Sequence, residues 1–310
     1  MNSPTSLSGE VSPSELSHWL HSGKPLVLID VMGEDCFAEG HIDSAVQACV
    51  YEMAFIDNVH ALNADEGASI VVYGTGRPSL AAKTAAEKLR EAGYSHVYEL
   101  NGGLKAWKEA GYRVSGEAPA KPAPPALSGR FLLDVEKSVV RWTGRNLLNH
   151  HEGTVNFRSG EIVLKDGALV HAEFHVDMST IKNADLTDPS YNAMLIRHLM
   201  DADFFHVKQW PDASFVMKSA VPIARAAPGS PNYRVTGDFT LRGQTHEISF
   251  EAVIGDSDGE VVGGQAEFDL DRTKWGAVYG SGRFFDRLGK HLVNDLVHLH
   301  LKILGNREEE

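Results

Sequence analysis

The sequence predicts two domains of different fold class, an α/β domain with a mainly parallel sheet and then an all-β antiparallel barrel with one short inserted helix. Apolar runs alternate with helical segments in the first region, two-periodic strands bounded by turns dominate the second, and an Ala/Pro-rich stretch lies between them. Repeated proline favours an extended spacer. We therefore expect domains at residues 1–116 and 129–310, joined by a linker at 117–128.

Strand and helix signals alternate along the first region. Ser12 stands three residues before Glu15, which predicts a capping box at the start of a helix. The apolar runs Val27–Val31 and Ile70–Tyr73 are typical of strands covered on both faces. Strands separated by helices imply a parallel sheet with helices on both faces. The further expected elements are a helix at Ser79–Ala92, a strand at His96–Leu100 and a helix at Gly102–Ala110.

Alternating strands dominate the second region. Apolar residues within Leu169–Met178 point to one face, and the histidines and acids between them point to the other. Asp166-Gly167, Arg242-Gly243 and Asp258-Gly259 are hairpin signals, and Pro189–Met200 has helical spacing. Because closure removes exposed edges, many evenly spaced strands indicate a closed barrel. The expected strands are Val139–Thr143, Gly153–Phe157, Glu161–Leu164, Leu169–Met178, Ser214–Ala220, Tyr233–Leu241, His246–Ile254, Glu260–Leu270 and Leu296–Leu304.

Composition and charge exclude several kinds of partner. The chain is 43% hydrophobic and 23% charged, as in an ordinary globular protein. Residues 1–116 carry 8 basic and 15 acidic side chains, or −7 of the total charge of −13, so both regions are acidic. This balance argues against nucleic acid and against an anionic membrane surface. The chain has no apolar stretch of about 20 residues and no signal-peptide pattern at its N-terminus, so we expect a cytoplasmic protein without a membrane span.

Three segments of the first region, taken in order, resemble a rhodanese-like domain over residues 10–114: GHIDSA at 40–45, the strand and helix around residue 74, and NGGLKAW at 101–107. The resemblance implies a reactive cysteine in the loop after Ile70–Tyr73, where backbone amides face a sulfur anion. This loop contains no cysteine, and alignment places the missing residue at Gly74 or nearer Gly76. We expect an inactive domain whose loop binds a small anion, with a solvated arginine on a turn as the alternative. The expected anion-binding residues are Gly74, Thr75, Gly76, Arg77 and Ser79.

Two further departures from the rhodanese pattern support a loss of activity. Met32 stands where the resemblance implies an arginine, and Cys36 stands where it implies an acidic residue. Cys36 and Cys49 are the only cysteines, too few for a disulfide framework, and we expect reduced thiols. Either could be a relocated nucleophile, but for both we favour the interpretation of small semi-buried residues.

The second region resembles the YceI-like family over residues 130–304. The resemblance rests on HLMDADFFHVKQWPDASF at 198–215, YRVTGDFTLRGQTHEISFEAVI at 233–254 and FDLDRTKWG at 268–276. It implies a lipocalin-like barrel of roughly eight strands. It also implies an elongated apolar cavity that holds a long-chain amphiphile, typically an isoprenoid. We expect no cofactor beyond such a bound lipid.

Aromatic residues are more numerous in this region than a minimal core needs. Each ring alone is explained by packing, whereas the set favours a lined tunnel, since a barrel of this size is either filled or holds one slender ligand. Apolar residues within 194–205 form either a mobile lid or a plug at one end. The predicted ligand-binding residues are Trp142, Phe157, Phe174, Val176, Met194, Leu199, Phe215, Phe239, Phe250, Phe268 and Trp275.

Histidines raise the question of a metal. His171 and His175 share one strand face, which is compatible with metal binding. Glu173 and Asp177 lie on the same face, as on a solvated outer surface, and no strong zinc spacing occurs. We therefore expect no metal site.

Three functions follow from these patterns. The leading hypothesis is a cytoplasmic binding protein for an isoprenoid or other lipid, with the degenerate rhodanese-like domain as a docking or sensing module for a protein partner. The second is a sulfurtransferase or persulfide carrier that uses Cys36 or Cys49. The third is a metal- or redox-linked barrel that uses the face of His171 and His175.

Overall fold

The computed structural model describes residues 9–23, 25–62, 68–116, 126–257 and 259–308. The chain forms two compact units, Met1–Pro122 and Ala123–Glu310. Most of the predicted linker, residues 117–125, lies outside the described residues.

The first unit has a five-stranded parallel sheet in the order β1-β6-β5-β2-β4, with helices around it. This confirms the predicted α/β class. A separate antiparallel pair joins β3 and β7. The strands are β1 Gly9–Val11, β2 Leu26–Asp30, β3 His41–Ile42, β4 Val46–Gln47, β5 Ser69–Tyr73, β6 Val97–Leu100 and β7 Val114–Ser115, and the helices are α1 Pro13–His21, α2 Glu34–Glu39, α3 Phe55–Ala61, α4 Ala81–Glu91 and α5 Gly103–Glu109.

Local chemistry explains the main elements of this unit. All five residues of β5 are buried, as expected for a central strand covered on both faces. The capping box before α1 is confirmed, because the Glu15 amide donates to Ser12 Oγ at 3.3 Å and the Ser12 amide donates to Glu15 Oε2 at 2.9 Å. Ala85 and Leu89 of α4 are fully buried and pack that helix on the sheet.

The second unit is a closed antiparallel barrel, as predicted. Its described part has nine strands, of which β8 and β9 share one position, since each pairs with both β10 and β16. The pairing of β10 with β11 completes the closure. The strands are β8 Gly129–Leu133, β9 Val139–Arg145, β10 His150–Lys165, β11 Ala168–Asn183, β12 Asp212–Pro222, β13 Tyr233–Leu241, β14 Gln244–Ser257, β15 Val261–Asp271 and β16 Leu296–Arg307, and one α-helix, α6 Pro189–Met200, follows β11.

Several barrel strands, such as β11, are longer than expected, and two further differences change the set of strands. The segments predicted as separate strands at Gly153–Phe157 and Glu161–Leu164 belong to the single strand β10, whose register shifts between Phe157 and Ser159. Such a bulge lets a strand bend without ending. Strand β8 was not predicted, because its five residues directly follow the proline-rich stretch.

Hairpin turns fix the register of the long strands. Arg242 and Gly243 join β13 to β14 with φ of 50° and 68°, and Asp166 and Gly167 join β10 to β11 with φ of 50° and 78°. Positive φ at both central residues is typical of the type I′ turn, whose twist matches that of the flanking strands. Asp258 of the third predicted turn lies outside the described residues.

A buried arginine ties the end of β15 to the segment that leads into β16. Arg272 is fully buried and donates to the carbonyls of Asn294 at 3.1 Å and Val293 at 3.2 Å. It also donates to the carbonyl of Ala277, and its guanidinium lies 5.1 Å from the ring centre of Phe204. Burial lowers the pKa of Arg272, but the side chain stays charged because an ordinary guanidinium pKa is very high.

We expect Arg272→Met to lower the free energy of unfolding of the barrel unit by about 3 kcal/mol, because several buried carbonyls lose their donor. Urea denaturation followed through NMR signals of the barrel measures the change. Arg234→Met is the matched control, since Arg234 forms an exposed ion pair with Glu251 at 2.7 Å and should cost less than about 1 kcal/mol. Equal losses in the two variants would contradict the assigned role of Arg272.

Candidate functional site

The barrel encloses an apolar tunnel of about 200 Å³. A cavity of about 150 Å³ already holds a benzene-sized molecule, so this space is large enough for part of a hydrocarbon ligand. Nine of the eleven residues predicted to bind ligand lie in its wall: Trp142, Phe157, Phe174, Val176, Leu199, Phe215, Phe239, Phe250 and Phe268.

Strand periodicity sends every second side chain inward, so the wall of the tunnel follows the strands. Along β16, alternate residues from Val297 to Ile303 line it, which corresponds to roughly 20 Å at 3.3 Å per residue. Phe250 and Phe268 stack with ring centres 4.6 Å apart and planes only 9° from parallel.

Two of the predicted ligand-binding residues lie elsewhere. Met194 is on α6 and is 49% exposed. Trp275 is 1% exposed and follows β15 in a 3₁₀ turn, where its Nε1 donates to the carbonyl of Phe239 at 3.1 Å. Neither belongs to the tunnel wall.

One end of the tunnel is bordered by α6 and by loops. Leu199, Phe204 and Phe205, from the segment predicted as lid or plug, lie in the wall. Many other wall residues were not predicted as ligand-binding, and among them Gly144, Arg272, Val293 and Asn294 are neither aromatic nor part of the segment predicted as lid or plug. Arg272 nevertheless stands within a motif that carried the family resemblance.

Trp142 of β9 presents an unpaired donor in this wall. Its Nε1 is buried and has no hydrogen-bond partner among the residues that the structure describes. The indole lies across Gly153 of the neighbouring strand, where an added Cβ would come within 2.7 Å of Trp142 Cζ2. A buried donor without a partner costs about 1–3 kcal/mol, so this group needs an explanation.

A carboxylate holds the segment that leads into α6. Burial raises the pKa of Asp185, but hydrogen bonds from the Glu152 amide at 2.9 Å, from His151 Nδ1 at 2.9 Å and from Asn183 outweigh it and bring that pKa to about 2. Asp185 thereby joins the start of β10 to the chain just before the helix.

The loop after β5 borders a small cleft in the first unit. The cleft has a volume of about 70 Å³ and includes Gly74, Gly76, Arg77 and Ser79, with Lys83 at its edge. Thr75, the fifth predicted anion-binding residue, contributes its carbonyl to the Lys105 amide at 3.1 Å and is not in the cleft wall.

Charges around the cleft have both signs. Arg77 lies 3.7 Å from Glu10 and donates to Asn101 Oδ1 at 3.5 Å, while its side chain stays 76% exposed. Glu99 also borders the cleft. Arg77 is therefore held loosely and remains available to an anion.

Of the two positions considered for a missing cysteine, Gly74 alone has room for a side chain. A Cβ on Gly74 would meet Met32 Sδ and Ala81 Cβ at 3.4 Å, which is ordinary contact. A Cβ on Gly76 would lie 2.8 Å from the Gly102 carbonyl, and Gly76 has a φ of 135°. Of the two cysteines present, Cys36 is exposed and Cys49 is buried.

On the histidine face of β11 each imidazole contacts a carboxylate. His171 Nε2 lies 3.2 Å from Glu161, and His175 Nε2 lies 2.9 Å from Glu173, on side chains that are all 24–40% exposed. The described residues contain no group of three or more His, Cys, Asp or Glu that could hold a metal ion. They also contain no helix that is both long and apolar enough to span a bilayer.

Comparison with known families agrees with both resemblances. The YceI-like domain matches residues 131–304, more than half of the chain, and the Rhodanese-like domain matches residues 12–110. The chain belongs to the YceI-like family and carries a rhodanese-like domain before its barrel.

Individual relatives match one domain at a time. A tRNA uridine(34) hydroxylase of Cupriavidus pinatubonensis is 33% identical over 109 residues, which cover 33% of this chain and 38% of the hydroxylase. The chain thus spans about two fifths of that relative. A UPF0312 protein of Pseudomonas putida strain W619 is 33% identical over 146 residues, covering 46% of this chain and 71% of the relative. BcnA of Burkholderia cenocepacia, a solved structure, is 21% identical with a TM-score of 0.44 and covers 56% of this chain and 98% of its own.

We expect acid to destabilise the barrel partly through Asp185, since a lowered carboxyl pKa gives stability that is present above the unfolded value near 4 and is lost as pH falls towards 2. Between pH 5 and pH 2, the free energy of unfolding of the barrel should therefore fall by about 2 kcal/mol less in Asp185→Asn than in the wild type. Urea denaturation at each pH measures this.

Asp256→Asn is the control for the loss of one negative charge, because Asp256 is exposed on β14. A wild-type barrel and an Asp185→Asn barrel with the same dependence on pH would show that the carboxylate does not stabilise the folded state.

Proposed function

We propose that this protein binds a long-chain amphiphile, such as an isoprenoid or another lipid, in the tunnel of its barrel. The single observation that carries the proposal is an apolar tunnel of about 200 Å³ that follows the strands. Its polar wall residues are few, and the rest of the wall is aliphatic or aromatic. Such a wall contributes little binding free energy for a polar solute and much more for a hydrocarbon.

Energetics support a resident ligand. At roughly 24 cal/mol per Å³, an empty apolar cavity of 200 Å³ costs on the order of 5 kcal/mol. Each ligand methylene that enters it contributes about 0.8 kcal/mol. A chain of a few carbon atoms therefore offsets the cost of keeping the tunnel open, and a longer chain gives net affinity.

Small residues on neighbouring strands allow a direct test. Ala266 of β15 pairs with Ala252 of β14, and both lie in the tunnel wall. We expect Ala266→Phe to fill the tunnel and to lower the affinity for a long-chain isoprenoid alcohol at least tenfold, as measured by calorimetry. Organic extraction of protein from its native host should release a lipid from the wild type and not from this variant.

Glu267→Phe is the matched control, because it places the same side chain one residue further along β15 on a 65% exposed position. It should bind like the wild type. Wild-type protein that carries no lipid and binds no isoprenoid or fatty amide would rule out the proposed function.

For the rhodanese-like domain we propose a role as a docking or sensing module that recognises a small anion. The cleft beside Gly74 and the loosely held Arg77 support this. With glycine at position 74, the loop has no thiolate to attack sulfur.

We expect phosphate to shift NMR signals of the loop at 74–79, and Arg77→Gln to weaken this binding about fivefold, as roughly 1 kcal/mol is lost at an exposed site. Arg113→Gln, which removes an exposed arginine outside the cleft, should have no effect. Thiocyanate formation from thiosulfate and cyanide that disappears in Cys36→Ser would instead support the sulfurtransferase alternative.

A further inference from the structure

The Nε1 of Trp142 is a hydrogen-bond donor for which the described residues provide no acceptor. This atom is buried in the wall. The buried indole of Trp275, in the same unit, differs, because its Nε1 donates to the Phe239 carbonyl at 3.1 Å. Since buried donors in folded proteins are almost always paired, an acceptor from outside the chain is the simplest partner for Trp142.

Packing holds the indole of Trp142 in place. Gly153 faces it on β10, and any Cβ there would lie 2.7 Å from Trp142 Cζ2 and 1.8 Å from the Lys182 carbonyl. Glycine at this position therefore leaves a slot that the indole ring occupies. A Cβ on Gly144 would also lie 4.0 Å from Trp142 Cζ3, so the ring lies beside two glycines.

The remaining wall chemistry restricts what the acceptor is. Arg272 is the one charged residue in the described wall, and its guanidinium already donates to the carbonyls of Asn294, Val293 and Ala277. Gln265 and Asn294, the other polar wall residues besides Trp142, are both exposed. An anionic head group inside the tunnel would find no available cation, and its desolvation would be costly.

We propose that Trp142 is a specificity-determining residue whose Nε1 donates a hydrogen bond to a neutral oxygen of the ligand. This rests on the proposed function and deepens it. The ligand class is a hydrocarbon chain that carries a carbonyl, ether or hydroxyl oxygen at the level of Trp142. An indole is a donor only, so the ligand group must be an acceptor.

A matched pair of ligands isolates this contact. We use a linear methyl ketone and the linear alkane of equal chain length, and compare wild type with Trp142→Phe by calorimetry. The variant should bind the ketone about fivefold to tenfold more weakly than the wild type, which is the effect of losing one hydrogen bond. Its affinity for the alkane should stay within about twofold of the wild type. Trp210→Phe, a 37% exposed indole outside the tunnel wall, should change neither affinity.

An NMR titration of the wild type does not depend on the variant's stability. The ketone should move the indole N–H proton signal of Trp142 downfield, and the alkane should not. If Trp142→Phe weakens both ligands equally, or the signal responds alike to both, this inference is overturned while the lipid-binding function stands. If neither ligand binds wild-type protein, the proposed function fails together with it.

Discussion

The buried guanidinium of Arg272 is the constraint on which the end of the barrel beside Phe204 and Asn294 depends. A fully buried charge is tolerated only where its donors are satisfied, so the carbonyls of Val293 and Asn294 must face it. That requirement fixes the chain before β16 in a position where the same two residues line the tunnel. The guanidinium also lies against the ring of Phe204, so one side chain positions both the loop and the segment after α6. The shape of this tunnel end therefore follows from the need to pair one cation.

Local signals were sufficient for the elements whose ends are set by their own residues. The predicted helix at Pro189–Met200 matches α6, since Asp188 caps it and Pro189 begins it. The type I′ turn at Arg242 and Gly243 likewise depends only on those two residues. The continuity of β10 could not be predicted in this way, because Arg158-Ser159-Gly160 looks like a break and the pairing with β11 keeps it extended. Whether such a segment belongs to one continuous strand depends on its pairing with a neighbouring strand.

In the candidate site, too, some residues are placed by local sequence signals and others by tertiary contacts. Strand periodicity put Phe174 and Val176 on one face of their strand, and both lie in the wall, because an inward face repeats every second residue. It could not place Trp275, which follows the strand in a 3₁₀ turn, or Met194 on a helix. Wall residues from loops, such as Asn294, are brought to the tunnel by contacts distant in sequence. The register of the first-unit loop also needed coordinates, since the crowding of Gly76 by Gly102 distinguishes it from Gly74.

The tunnel is open because small residues stand at inward positions, and this is the strongest physical argument for a ligand. Ala172, Ala213 and Ala252 are nearly fully buried, and all three lie in the wall. A larger apolar side chain at any of them would fill space and gain about 0.8 kcal/mol for each buried methylene. A core that served stability alone would use that gain, because cores pack to the density of organic crystals. In the proposed function a ligand supplies the hydrocarbon that these alanines leave out and brings the barrel to the packing of an ordinary core. The donor of Trp142 that has no partner within the described residues is the polar contact proposed for that ligand.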